Sequence, residues 1–177
     1  MPRQRISRGI VQVYYGTGKG KTTASLGLAF RATGHGFKVH MIQFMKGEVK
    51  YGEIKAAKNN PNFTITQFGR PEIIAEPEKI DIEQAEQALE LARKTIESDE
   101  YDILILDEVG VAIEMGLINV REVIELLENK PPHLEIVLTG RYMHPKLLEM
   151  ADLVTEMRMI KHPFVTRGLQ ARKGVDF

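Results

Sequence analysis

Residues 13–28 read VYYGTGKGKTTASLGL. A run of apolar and aromatic residues meets three glycines and two lysines, then a small-residue segment of helical character. This order matches a strand, a tight turn and a helix N-terminus. Gly16, Gly18 and Gly20 allow a backbone curl in which successive N–H groups face one anion. The following helix adds the positive end of its dipole. The usual spacing G-x-x-x-x-G-K-[ST] fails only at its first position, where Tyr15 stands in place of glycine. A chain built on this segment is constrained to an α/β sheet that presents the turn at a strand's C-terminal end. The plain alternative is a glycine-rich turn with two lysines facing water.

The rest of the chain repeats the same alternation. Short runs rich in Val, Ile, Tyr and Phe predict strands over 10–15, 38–44, 63–68, 103–106, 135–139 and 153–157. Longer amphipathic stretches predict helices over 21–33, 82–98, 120–129 and 145–151. Asp81 with Gln84, and Asn119 with Glu122, resemble capping boxes. Pro145 suits a first helical turn, and Gly34 a helix stop. The expected fold is a single α/β domain over 1–177, with a mainly parallel sheet flanked by helices, of the P-loop NTPase (RecA-like) kind. Residues 45–61 and 69–77 read as irregular, and such loops carry substrate contacts. The basic first nine residues are candidates for disorder, and 164–177 for a C-terminal loop or lid.

Composition narrows the function classes. Lys plus Arg equals Asp plus Glu at 24 each, so no global field draws in nucleic acid or an anionic membrane. The chain has no Cys, which removes disulfides, thiolate metal sites and cysteine nucleophiles. No signal-peptide core and no apolar run near the ~20 residues of a membrane span is present. A cytoplasmic protein is expected.

In the loop, Lys21 is placed to bind distal phosphates and Thr22 to ligate Mg²⁺ (or Mn²⁺). Thr17, Lys19 and Thr23 are further candidate nucleotide contacts. The strand Ile-Leu-Ile-Leu ends in Asp107 and Glu108, as a Walker B segment does. Such a strand is expected beside the first one, with Asp107 on the metal and Glu108 as a second ligand or a water-activating base. Another strand ends in Thr139, Gly140 and Arg141, which places Thr139 and Arg141 toward the ligand crevice. Arg31 either reaches back to phosphate or caps its helix. The plain alternatives are acids exposed at a strand end and a surface turn.

The segments "GTGKGKTT", "RATGHG", "QFMKG", "LDEV", "TGR" and "ADLVTEMR" followed by "KHPF" occur in this order. As a set they closely resemble the phosphate-loop ATP:corrinoid adenosyltransferases, also called cob(I)alamin adenosyltransferases. The resemblance runs from about Gly9 to Phe177. It implies that the missing first glycine is a family feature and that ATP binds with unusual polarity. It implies transfer of the 5′-deoxyadenosyl group of ATP to a reduced corrinoid, of cob(I)alamin or cobyrinic acid diamide type, with release of triphosphate. Since Co(I) is itself the nucleophile, no protein nucleophile or general base is needed. The protein must position C5′ and stabilise the leaving group. On this reading Lys21, Thr22 and Glu108 are the candidate catalytic residues, and Thr22, Asp107 and Glu108 hold the metal. Gly16, Thr17, Gly18, Lys19, Gly20, Lys21, Thr22, Thr23, Arg31, Arg141 and Arg158 are nucleotide or corrinoid contacts. A homodimer is also implied, with a flavoprotein as candidate reductant. His162 is read as structural or nucleotide-contacting, not as a cobalt ligand.

The sequence departs from the family at 69–76. An aromatic Phe-Thr-Trp-like segment is common there, yet this chain reads Gly-Arg-Pro-Glu-Ile-Ile-Ala-Glu and has no Trp. Ile73 and Ile74 would supply apolar bulk without ring stacking. Two rival functions fit the same loop: an ATPase or small-molecule kinase using Glu108 as base, and a corrinoid carrier that consumes nothing.

Overall fold

A computed structural model describes residues 5–47, 51–71 and 76–177. Six strands form one sheet: β1 (Val11–Tyr15), β2 (Val39–Gln43), β3 (Phe63–Gln67), β4 (Ile103–Asp107), β5 (Glu135–Gly140) and β6 (Leu153–Glu156). Their order is β3-β2-β4-β5-β1-β6, and every pairing is parallel. Each strand lies within about a residue of its expected bounds; the central β2, β4 and β5, buried throughout, read as short, largely apolar runs. The long helices are α1 (Lys21–Gly34), α3 (Lys79–Glu97) and α5 (Val120–Glu128), with the shorter α6 (Pro145–Met150). Three short ones join them: α2 (Gly52–Ala57), α4 (Val109–Glu114) and α7 (Pro163–Arg167).

The sheet is covered on both faces. On one, Leu104, Leu106, Ile136 and Leu138 pack with Ala88, Leu89 and Ala92 of α3 and with Leu126 and Leu127 of α5. On the other, Met41, Ile103, Ile105 and Val137 meet Ala29 and Ala32 of α1. Ser25, Ala29 and Ala32 form the buried stripe of α1. Their small side chains bring the helix close to the sheet and so fix the loop at its head.

Four local expectations are corrected. The helix α3 starts earlier than its apolar period suggests, with Glu78 as N-cap and Asp81 as its capping-box partner. Asp81 is recruited because Arg70 holds it through Nε at 2.8 Å and Nη2 at 2.6 Å. The helix α1 runs through Gly34, and the left-handed turn falls at Gly36, φ 78°. Residues 45–61 contain α2. Finally, β4 does not lie beside β1; β5 is inserted between them. The Asn119–Glu122 capping box is present as expected. At the N-terminus, Arg5 Nη1 pairs with Asp99 at 2.7 Å and the Gly9 amide donates to the Pro132 carbonyl at 2.8 Å.

One buried polar cluster has a measurable consequence. The Thr95 hydroxyl spends its hydrogen on the Leu91 carbonyl at 2.7 Å, so it accepts from His40 Nδ1 at 3.2 Å. Nε2 of the neutral ring then accepts from Thr66 at 3.0 Å. Burial lowers the His40 pKa from 6.5 to about 4. Between those values the unfolded chain binds a proton that the folded one excludes. The stability contribution is therefore complete above pH 6.5 and is lost as pH falls toward 4. By pH 5 the loss from this residue is expected to reach about 2 kcal/mol. Urea denaturation at pH 7 and pH 5 tests this: the fall in unfolding free energy should shrink by that amount in His40→Gln, and equal falls in both proteins would refute it.

Candidate functional site

The C-terminal ends of β1, β2, β4, β5 and β6 meet along one edge of the sheet, and the candidate residues gather there. The phosphate loop turns at Gly16, φ 111°, and at Gly20, φ 121°, a conformation open to glycine. Gly18 is required for a different reason. A Cβ there would lie 2.8 Å from the Met157 carbonyl oxygen, and one at Gly16 would lie 2.5 Å from it. The chain leaving β6 presses directly on the loop, and the Gly18 amide donates to Met157 O at 2.6 Å. The Gly16 amide turns to the Gly140 and Arg141 carbonyls at 3.3 and 3.2 Å. These two amides therefore brace the loop against its neighbours, whereas the sequence pattern alone gave all three glycines the same task. Lys21 Nζ donates to the Gly16 and Gly18 carbonyls at 2.9 and 2.8 Å. Burial lowers its pKa, and Arg141 and Lys46 act in the same sense, while Glu108 and Asp107 oppose them.

Thr22, at the head of α1, donates to Asp107 Oδ1 at 2.8 Å. The same oxygen accepts from Thr139 at 2.7 Å. The other oxygen accepts from Gln43 Nε2 at 3.1 Å and pairs with Lys46 Nζ at 2.6 Å. Asp107 is fully buried, and these four donors account for its acceptor capacity. Thr139, on the inserted strand β5, stands between β4 and β1, and the carboxylate reaches Thr22 directly across it. The Thr139 hydroxyl also accepts the Glu108 amide at 2.9 Å, so Thr139 binds both acidic residues.

Glu108 turns the chain from β4 into α4 with φ 63°, a sparsely populated conformation for a residue with a side chain. The turn is held because α4 lies directly on the exit of β5. A Cβ at Gly110 would come 2.1 Å from the Tyr142 carbonyl oxygen. Burial raises the Glu108 pKa above the ordinary carboxylate range, and Asp107 adds to this, with Lys46 and Lys21 opposing. Two acids and two lysines thus share one partly buried pocket beside the loop.

The other expected residues divide. Arg141 follows β5 and lies close enough to Lys21 to act on its charge. Thr23 shares a cavity of about 420 Å³ with Thr22, Lys46, Tyr51 and Phe177. Lys19 is not among the residues lining this cavity, but it pairs with Asp176 and donates to the Val175 carbonyl at 3.1 Å, two residues that do line it. Asp176 also accepts from the Arg172 amide at 2.9 Å, so the C-terminal segment beyond α7 closes on the loop. Lys19 and Arg158 line a larger cavity with Met159, Phe164 and Arg172. Arg158 is paired with Glu156 at 3.0 Å, and the Thr17 hydroxyl accepts the Met159 amide at 3.4 Å. Arg31 is not brought to the loop. It sits in the last turn of α1, ten residues beyond Lys21, roughly 15 Å along the axis. His162 caps α7, accepting the Phe164 amide at 3.3 Å. Ile73 and Ile74 lie outside the described residues.

Lys46 and Gln43 are the contacts that the motif reading missed, although both lie in the QFMKG segment. The signal was available: a lysine followed by glycine at a strand's C-terminal end, the same position that singled out Arg141.

The donor set fits a hard divalent cation. Thr22 offers a hydroxyl and Glu108 a carboxylate, and Asp107 offers an oxygen once one of its four donors gives way, all oxygen ligands. Among the described residues no group of three or more His, Asp or Glu could by itself hold a metal. A cation here would complete its shell with phosphate and water, as Mg²⁺ does in nucleotide sites.

The family described as ATP:corrinoid adenosyltransferase BtuR/CobO/CobP matches residues 7–177 of this chain. A corrinoid adenosyltransferase of Sinorhizobium sp is 36% identical over 174 residues, covering 96% of this chain and 81% of its own. One from Pseudomonas aeruginosa is 34% identical over 176 residues, covering 98% and 86%. The corrinoid adenosyltransferase CobA of Salmonella typhimurium is 33% identical over 171 residues, covering 96% and 86%.

The bridging hydroxyl of Thr139 can be tested without touching a charge. Thr139→Val keeps the shape but strands the buried Glu108 amide and removes a donor from Asp107. Its unfolding free energy should fall by about 1–3 kcal/mol in urea denaturation. Thr139→Ser should stay near the wild type, and a valine variant of unchanged stability would show that the hydroxyl holds nothing.

Proposed function

As this chain belongs to the ATP:corrinoid adenosyltransferase family, we propose that it transfers the 5′-deoxyadenosyl group of ATP to the cobalt of a reduced corrinoid and releases triphosphate. The corrinoid is of the cob(I)alamin or cobyrinic acid diamide type. The observation that carries this reading is the joining of Thr22 to Asp107 at 2.8 Å, with Lys21, Lys46 and Arg141 near enough to act on one another's charge. This is a site for a polyanion, held at the end of a phosphate loop. In the reaction a cobalt electron pair forms the Co–C5′ bond and the C5′–O bond breaks. The bonding electrons leave on the triphosphate oxygen. No proton is removed from the attacking atom, so the chain's task is to orient ATP and stabilise the departing charge.

Lys21 and the loop amides not already spent on carbonyls bind the triphosphate, and Arg141 flanks it. Thr22, Asp107 and Glu108 would hold Mg²⁺ (or Mn²⁺), which supplies Lewis-acid neutralisation of the leaving oxygens. A homodimer, a cytoplasmic setting and a flavoprotein reductant complete the reading and rest on the family resemblance. Support for assembly comes from β6, an edge strand with exposed Leu153 and Val154, followed by the exposed Ile160 and Phe164.

One observation favours a second reading. The raised pKa of Glu108 suits a general base, as an ATPase or a small-molecule kinase would use. Product analysis separates the two. Under anaerobic conditions, Mg-ATP and chemically reduced corrinoid should give triphosphate in step with a light-sensitive cobalt–carbon product. ADP and phosphate with unchanged corrinoid would favour hydrolysis or phosphoryl transfer, and no consumption of either substrate would favour a carrier. Glu108→Gln should raise the Mg²⁺ concentration needed for half-maximal rate yet leave activity at saturating metal. Complete loss at saturating metal would assign Glu108 a proton-transfer role.

A further inference from the structure

The ion pair that reaches the fully buried carboxylate of the phosphate site belongs to a lysine outside the loop. Lys46 Nζ lies 2.6 Å from Asp107 Oδ2, and Thr22 Oγ1 lies 2.8 Å from Oδ1 of the same carboxylate. Loop hydroxyl and lysine ammonium are thus held by the two oxygens of one side chain. The lysine is not sealed behind it. Its side chain keeps 18% of its exposure, and it lines the cavity that also receives Thr22 and Thr23.

The backbone around Lys46 is fixed on both sides. Met45 adopts φ 57°, the Lys46 amide donates to Phe68 O at 2.8 Å, and the Gly47 amide donates to Arg70 O at 3.2 Å. Such fixing directs a long, flexible side chain at one point, which reduces the entropy lost when it binds an anion. The two loop lysines also have partners, and Lys21 keeps one of its three N–H groups for a ligand. Lys19 is tied to Asp176, and Lys21 is bonded to the loop's own carbonyls.

We propose that Lys46 is a second triphosphate lysine, whose ammonium bridges Asp107 and a phosphate oxygen and so neutralises the leaving group together with Lys21. This rests on the reading of the loop as a triphosphate site. The simpler role, neutralising Asp107 alone, predicts a different outcome when both partners are removed.

Inorganic triphosphate with Mg²⁺ is the probe, titrated calorimetrically into the full chain. Lys46→Met should weaken its binding about tenfold to hundredfold, the worth of a charged hydrogen bond, and Lys46→Arg should restore most of it. Lys46→Met also strands a buried carboxylate and can unfold the chain. The decisive comparison is therefore Asp107→Asn against the double variant Asp107→Asn/Lys46→Met, which leaves no charge unpaired. If the double variant binds triphosphate at least tenfold more weakly than Asp107→Asn, Lys46 touches the ligand. If the two bind equally, Lys46 only serves Asp107 and the proposal is overturned. Lys21→Met reports on the underlying reading: an unchanged affinity there would remove the triphosphate site itself, whereas loss there with equal binding in the Asp107 pair would remove only Lys46.

Discussion

A buried carboxylate is costly unless each of its lone pairs is met, and this chain meets them at Asp107 with donors from four separate places. Thr22 comes from the head of α1, Thr139 from β5, Gln43 from β2 and Lys46 from the turn after it. The pairing reaches further, since Gln67 on β3 donates to Gln43 at 3.1 Å. A polar chain therefore crosses the sheet from β3 through β2 to β4, and from there to the helix behind the phosphate loop. Apolar packing brings these elements together but leaves their axial positions loosely set. The carboxylate sets them, because each hydrogen bond tolerates only a few tenths of an ångström.

The arrangement also separates the two acids. Asp107 and Glu108 are adjacent in sequence, yet one is saturated with donors and the other sits at a strained turn with its charge disfavoured by burial. Environment gives them unequal chemistry. Asp107 holds the frame together, and Glu108 is the acid with more to gain from an added positive charge.

Much of this was legible in the sequence. The central strands were visible because parallel strands covered on both faces are compact apolar runs, the edge strands β3 and β6 because they are short runs rich in β-branched and aromatic residues, and α1, α3, α5 and α6 because their patterns or caps were sufficient. The helices α2, α4 and α7 have five or six residues, under two turns, too few to show a period. The position of β5 between β4 and β1 could not be read, because strand order is a property of distant pairings and not of any local segment. Within the site, the motif residues Lys21, Thr22, Asp107 and Glu108 do converge. Arg31 does not, since a helix carries its last turn away from its first. Lys46 belongs to neither the glycine-rich loop motif nor the Asp-Glu motif, and its contact with Asp107, 61 residues away, is a tertiary one.

The contact between Gly47 and Gly69 has a mechanical consequence. A Cβ on Gly47 would fall 1.9 Å from the Gly69 carbonyl oxygen, and one on Gly69 would fall 2.8 Å from Met45 Cα. No side chain separates the two backbones, so no compressible layer lies between them. The turn bearing Lys46 and the segment leaving β3 behave as one stiff lever. Arg70 anchors its far arm to Asp81, and Asp107 anchors its near arm. A displacement of the segment at Gly69 and Arg70 would therefore be felt at Asp107 as a pull on the ammonium, with little of it absorbed on the way.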